Sequence, residues 1–268
     1  MQDIRIAAAI FNSIVNQPQK NLARMVPLIK QAKQQGASLI CFPELNVTGY
    51  STRAPIADAA ESIPGPISRR LQQMAQEFQI KILAGLAEKD NRGRIYASHL
   101  VVTPREISGI YRKIHIAPPE LGIFTAGNAA PLFQIDGVNL GIQLCYDAHF
   151  PELSTRMAVK GADILFMPHA SPRGTPSEKL TSWLRHLTAR AFDNGVFIVA
   201  CNQVGENQKG LEFPGLAVVV GPSGNVVQSE ISGREGVLVA DLTAKELSAV
   251  RDHKMRYFLP NRRPELYE

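Results

Sequence analysis

"VNLGIQLCYDAHFPELSTRMAVKGADILFMP", residues 138–168, runs as an apolar strand into Cys145, turns a short polar corner, opens a helix at Pro151 and returns to an apolar strand. Strand-length and helix-length segments in alternation are the mark of a layered α/β protein. Within that stretch "GIQLCYDAHFPEL" (141–153) sets a thiol at the mouth of a turn. Taken alone, Cys145 has three readings: a core thiol, a ligand to a metal or another sulfur, or a nucleophile.

The same alternation extends to both sides. Upstream, "IRIAAAIF" (4–11) reads as a strand, and a helix beginning near Pro18 carries Leu22, Met25, Val26 and Ile29 at helical spacing. Pro27 lies inside that pattern and is expected to kink or partly break it. "SLICF" (38–42) and "KILAGLAE" (81–88) read as strands, with a helix between them starting at Pro66. "RIYASHLVV", "ISGIYRKI" and "PLFQI" follow as strands, and Asp136-Gly137 marks a hairpin into the strand that ends at Cys145. Downstream come a helix over Ser177 to Asn194, the strand "VFIVACNQ", a hairpin turning at Pro222 to Asn225, and a last strand "GVLVADL". The tail "RYFLPNRRPELYE" (256–268) reads as irregular. No polar linker divides the chain, so residues 1–268 are expected to form one α/β domain with sheet packed on sheet and helices outside.

Composition narrows the function classes. The chain has 268 residues, 45% hydrophobic and 20% charged, which is enough to bury a large core without staples. Its formal charge of +5 comes from scattered basic residues rather than a stripe, which speaks against a nucleic-acid partner. The three cysteines, Cys41, Cys145 and Cys201, show no paired spacing that would hold zinc, and an odd, sparse set implies reduced thiols. Cys41 and Cys201 sit within apolar runs and read as core. The N-terminus opens directly as a strand, and no apolar run approaches the roughly 18 residues of a membrane span. A cytoplasmic location without membrane association is the expectation.

Three strand ends carry chemistry: Glu44 after "LICFP", Lys113 in "GIYRKIH" and Cys145 after "GIQL". Singly, each has an ordinary explanation as a solvated turn residue, an edge charge or a core thiol. Jointly they form a complete set. A free thiol is mostly protonated at neutral pH, a carboxylate within reach takes its proton during attack, and a fixed ammonium with a backbone N–H steadies the negative charge that develops.

The segments "CFPELNVTGY", "YRKIHIAPPELGIFTAGN" and "LCYDAHFPEL" resemble the three signature segments of the nitrilase superfamily of carbon–nitrogen hydrolases, in that family's order and spacing. The likeness runs on to "NRRPELY" at the C-terminus. It implies a four-layer α-β-β-α sandwich whose protomers pair into an eight-layer homodimer or higher oligomer, the tail from about residue 250 packing at the subunit interface. It also implies Glu44 as general base, Lys113 as transition-state stabiliser, Cys145 as nucleophile and Glu120 as a second glutamate that positions substrate or lysine. Two carboxylates and a lysine in one pocket perturb each other, so one glutamate is expected to be held protonated.

The reaction so implied is two-step hydrolysis of a small linear amide or N-carbamoyl compound through a thioester, with no metal or organic cofactor. A nitrile is the alternative substrate, and a non-enzymatic binding protein on the same fold is a third reading. Several amidases of the family carry arginine where this chain has His149, and in some it holds an anionic substrate. Around it, Tyr50, Tyr146, His169, Arg173 and Trp183 are the candidates for substrate contact. Each has a plainer reading as packing or surface.

Overall fold

Along Ile4–Ile10 (β1), Ile4, Ile6, Ala8 and Ile10 turn to one core while Ala7 and Ala9 turn to another. A strand that is apolar on both faces needs cover on both, and this chain supplies helices on one side and a second sheet on the other. The computed structural model describes residues 1–52 and 54–267.

The first sheet is built from β1, β2 (Leu39–Cys41), β3 (Lys81–Lys89), β4 (Ile95–Val102) and β5 (Ile107–Arg112). The second takes β6 (Phe133–Ile135), β7 (Val138–Ile142), β8 (Ile164–His169) and β9 (Phe197–Asn202). After β9, a separate ribbon of β10 (Val204–Glu206) and β11 (Glu212–Pro214) precedes β12 (Ala217–Val220) and β13 (Val226–Glu230), and β14 (Gly236–Leu242) returns to the first sheet. The strand orders are β14-β1-β2-β3-β4-β5 and β13-β12-β9-β8-β7-β6. Each sheet has three parallel strands at its centre, β1, β2 and β3 in one and β7, β8 and β9 in the other, with antiparallel strands outside them.

Helices α1 (Pro18–Gln34) and α2 (Pro66–Phe78) cover the first sheet, burying Leu22, Met25, Ile29, Leu71 and Met74 against its outer face. Helices α3 (Pro151–Val159) and α4 (Pro176–Asn194) cover the second, through Leu153, Met157, Trp183 and Leu187. Between the sheets β1 faces β9 and β12. The result is the four-layer α-β-β-α sandwich.

Local chemistry accounts for most of the punctuation. Asp136 and Gly137 both take left-handed φ, 49° and 73°, as the tight hairpin between β6 and β7 requires. Thr175 caps α4 by accepting from the Glu178 backbone N–H, which places the helix start at Pro176, one residue before the expected Ser177. Pro27, in contrast, does not interrupt α1. It lies on the exposed face, where the carbonyl it leaves unbonded meets water rather than core.

Two further features differ from the sequence reading. A fifth helix, α5 (Ala244–Arg251), precedes the tail and is tied to the second sheet by Arg251, which donates to Gly195 O, Ala162 O and Asp163. The ribbon β10–β11 is also additional, and its strands are three residues each, too short to leave a period in the sequence. Within the tail, short 3-10 turns at Leu259–Asn261 and Pro264–Leu266 replace regular structure.

Candidate active site

The chain leaves β2 through Phe42-Pro43 into a tight turn that presents Glu44, fully buried. This turn lies directly on β3. Val47 N–H donates to Gly85 O, Gly85 N–H donates to the Asn46 side chain, and a Cβ on residue 85 would come within 2.5 Å of Leu45 N. Glycine at 85 is therefore the condition for Glu44 to sit where it does.

Lys113 follows β5 and is buried. Its Nζ donates to Glu44 Oε1 at 2.8 Å and to Glu120 Oε1 at 2.8 Å. Glu120, nearly fully buried on a 3-10 turn after Pro118-Pro119, also accepts from Tyr50 Oη at 3.0 Å and from the Ala117 backbone N–H at 3.1 Å. The remaining Glu44 oxygen accepts from the Ala170 N–H, at the end of β8 in the other sheet, at 3.1 Å. A carboxylate–ammonium–carboxylate chain thus spans the gap between the sheets, with its lone pairs satisfied.

Cys145 stands at the corner after β7, partly exposed, with φ of 45°, a left-handed backbone that a side-chain-bearing residue adopts only when its surroundings hold it there. The holding residue is Asp147. Its carboxylate accepts from the Leu144 N–H at 3.0 Å, from Tyr111 Oη at 2.7 Å and from the His115 N–H at 2.8 Å, and it meets His115 Nδ1 at 2.8 Å. From behind, Arg190 of α4 donates to the carbonyls of Ala148 and His149.

Electrostatics separates the roles of the charged groups. Burial pushes Glu44 up to about 7, the negative charge of Glu120 adding to this and Lys113 opposing it. A carboxyl at that value is divided between its two forms near neutrality. Burial and then the charge of Glu44 also push the Cys145 thiol well up, Lys113 pulling it back. Lys113 itself would be lowered by burial, but Glu44, Cys145 and Glu120 outweigh that and hold it charged.

The other sequence candidates fall in two groups. Tyr50 is buried against Phe213 and joins the chain through Glu120. His169 and Trp183 are both buried, their rings 4.0 Å apart, with His169 Nδ1 on Met167 O; they form wall rather than open surface. His149 is exposed, its ring 4.5 Å from that of His186 and 5.8 Å from that of Tyr146. Arg173 is exposed on the loop before α4. Cys41 and Cys201 are fully buried between the sheets. Sequence reading missed Asp147, Tyr111 and the Ala170 N–H; an acid two residues beyond the cysteine was the only local signal.

The sequence model of the family described as carbon-nitrogen hydrolase matches residues 5–252, and the chain belongs to that family, within the nitrilase superfamily. It is 33% identical to a nitrilase of Pyrococcus abyssi over 98% of this chain and 99% of that one. It is 33% identical to an (R)-stereoselective amidase of a Pseudomonas species over 80% of this chain and 76% of that one. Among solved structures it resembles an amidase of Nesterenkonia sp. AN1, with a TM-score of 0.84 at 27% identity over 98% of both chains. That structure holds acrylamide added to its active-site cysteine. Among the described residues no helix is long and apolar enough to cross a membrane, and no cluster of three His, Cys, Asp or Glu side chains is placed to hold a metal ion.

Proposed function

We propose that this chain hydrolyses a small linear carboxamide or N-carbamoyl compound, with Cys145 as nucleophile, Glu44 as general base and acid, Lys113 as the oxyanion's cation and Glu120 as the group that fixes Lys113. The observation that carries this is the buried Glu44–Lys113–Glu120 chain beside a partly exposed thiol. Cys145 Sγ attacks the carbonyl carbon as its proton passes to Glu44, and the charge gathering on the carbonyl oxygen is met by Lys113 Nζ and a backbone N–H of the corner. Glu44 returns that proton to the departing nitrogen, leaving a thioester. Glu44 then takes a proton from water as its oxygen adds to the thioester, and the released thiolate recovers the proton as the acid leaves. A thiol kept neutral until attack suits a base whose own value lies near 7.

A nitrile is the second reading, favoured by the likeness to the Pyrococcus abyssi protein. The first adduct would then be a thioimidate, and water would enter before ammonia leaves. Ammonia release from matched amides, N-carbamoyl compounds and nitriles tests both, with Cys145→Ala as control. Release from amides or carbamoyl compounds that disappears in the variant is the expected outcome. Release unchanged in Cys145→Ala would overturn the mechanism, and no release from any compound would return the chain to a binding role.

We further propose that the protein pairs through α3 and its tail. Pro151, Thr155 and Val159 of α3 and Pro264 and Tyr267 of the tail line one groove, and Val159 and Tyr267 stay exposed on it. Sedimentation of the wild-type chain should give a dimer or larger, and Val159→Asp should lower that mass. A monomeric wild type would contradict this pairing.

A further inference from the structure

The reacting centre sets two carboxylates, Glu44 and Glu120, against one ammonium, so it repels an anionic substrate unless a second cation stands nearby. One does. Lys179, half-buried in the first turns of α4, donates from Nζ to Ser171 Oγ at 3.0 Å and to Pro172 O at 2.8 Å. Both partners are neutral oxygens. An ammonium carries three N–H groups, and among the described residues the third has no partner and the charge no carboxylate. The acid nearest in sequence, Glu178, is engaged in capping Thr175.

Placement ties this cation to the chemistry. Ser171 is next to Ala170, whose N–H holds Glu44, and Ser171 is itself locked by Asn202 through two hydrogen bonds. Lys179 also lies one helical turn before Trp183, the residue that packs on His169. Burial pushes the Lys179 ammonium below its ordinary value; the thiolate form of Cys145 opposes this, and the nearby Arg173 adds to it. A half-buried cation without a counter-ion is costly to keep, and a substrate anion relieves that cost.

Building on the amidase reading, we infer that Lys179 anchors a carboxylate at the end of the substrate remote from its amide, so that the substrates are monoamides or N-carbamoyl derivatives of carboxylic acids. Lys179 takes the part that His149 is poorly suited to play, because desolvation and the charge of Arg190 both lower the His149 ring from its ordinary value.

The test compares succinamate with isocaproamide, in which an isopropyl group replaces the carboxylate. Wild type is expected to favour succinamate by about tenfold or more in kcat/KM, as one charge-assisted contact provides. Lys179→Met should erase that preference mainly through KM, and Lys179→Arg should restore most of it. Equal hydrolysis of both compounds by wild type, or equal losses on both in Lys179→Met, would overturn the inference and leave the amidase reading standing. Ammonia from neither compound, with none from any other amide, would overturn both.

Discussion

Tyr111 donates its phenolic hydrogen to Asp147 at 2.7 Å, joining the strand that leads to Lys113 with the corner that presents Cys145. Both residues are fully buried, so the bond has no water to replace it. Tyr111→Phe leaves an acceptor of Asp147 unsatisfied and should cost about 1–3 kcal/mol of stability. Because Asp147 also holds the Leu144 N–H, the corner should loosen as well and kcat should fall. Denaturant unfolding and steady-state rates measured together check this; lost stability with unchanged kcat would mean that the contact is structural alone.

In the proposed mechanism Glu44 must be ionised to take the thiol proton, and its carboxyl is pushed up to about 7. The rate constant kcat/KM should therefore fall as pH drops below about 7, roughly tenfold per pH unit on the acid side. A pH profile on one amide substrate measures it. A limb placed near the ordinary carboxylate value would show that burial does not govern this group.

Lys113 is the single ammonium between two buried carboxylates. Lys113→Met should abolish turnover and cost about 3–5 kcal/mol, since it leaves two unpaired charges facing each other. Adding Glu120→Gln to that variant should recover part of the stability, because one of the two charges is removed. Thermal melts of the single and double variants give the comparison, and a double variant no more stable than Lys113→Met would contradict the charge-chain reading.

Cys145 is partly exposed while Cys41 and Cys201 are fully buried. Iodoacetamide should label Cys145 first, abolish activity with that label, and react faster as pH rises toward the elevated thiol value. Peptide mapping after partial labelling decides it. Early labelling at Cys41 or Cys201 would contradict their burial.

Acid should weaken the fold through His99, which lies fully buried on β4. Burial lowers its ring to about 3 from an ordinary 6.5, opposed only by the Leu83 backbone. The unfolded chain then binds the proton that the folded chain refuses, so stability is lost as pH falls from about 6.5 toward 3. His99→Gln should flatten that part of the pH–stability curve, measured by urea unfolding at several pH values.

Strand ends bearing Glu44, Lys113 and Cys145 were legible because apolar runs of strand length stop abruptly at Pro43, at the charged pair Arg112-Lys113 and at the polar corner after Leu144. Their roles were not legible singly and came from the resemblance of three segments. Ala170 was invisible to any local reading, since its N–H meets Glu44 across 126 residues of chain. Asp147 acts the same way, through Tyr111, 36 residues earlier. Lys179 carries no local signal in the sequence, and only the fold places it over Ser171. In contrast, α5 did carry a signal: Thr243 and Glu246 have the spacing of a helix cap, and Thr243 accepts from the Glu246 N–H.

Glu44 and Lys113 come from the first sheet, while Cys145 and Ala170 come from the second. Under the proposed roles, turnover therefore reports the alignment of two slabs held together by apolar packing, which resists separation far better than a small slide, and by a few polar ties such as Tyr111 to Asp147 and Gln203 to the Glu44 carbonyl. Mild denaturant or gentle heating that lets the slabs shift by a fraction of an ångström should silence the enzyme while its circular dichroism is still that of the folded protein.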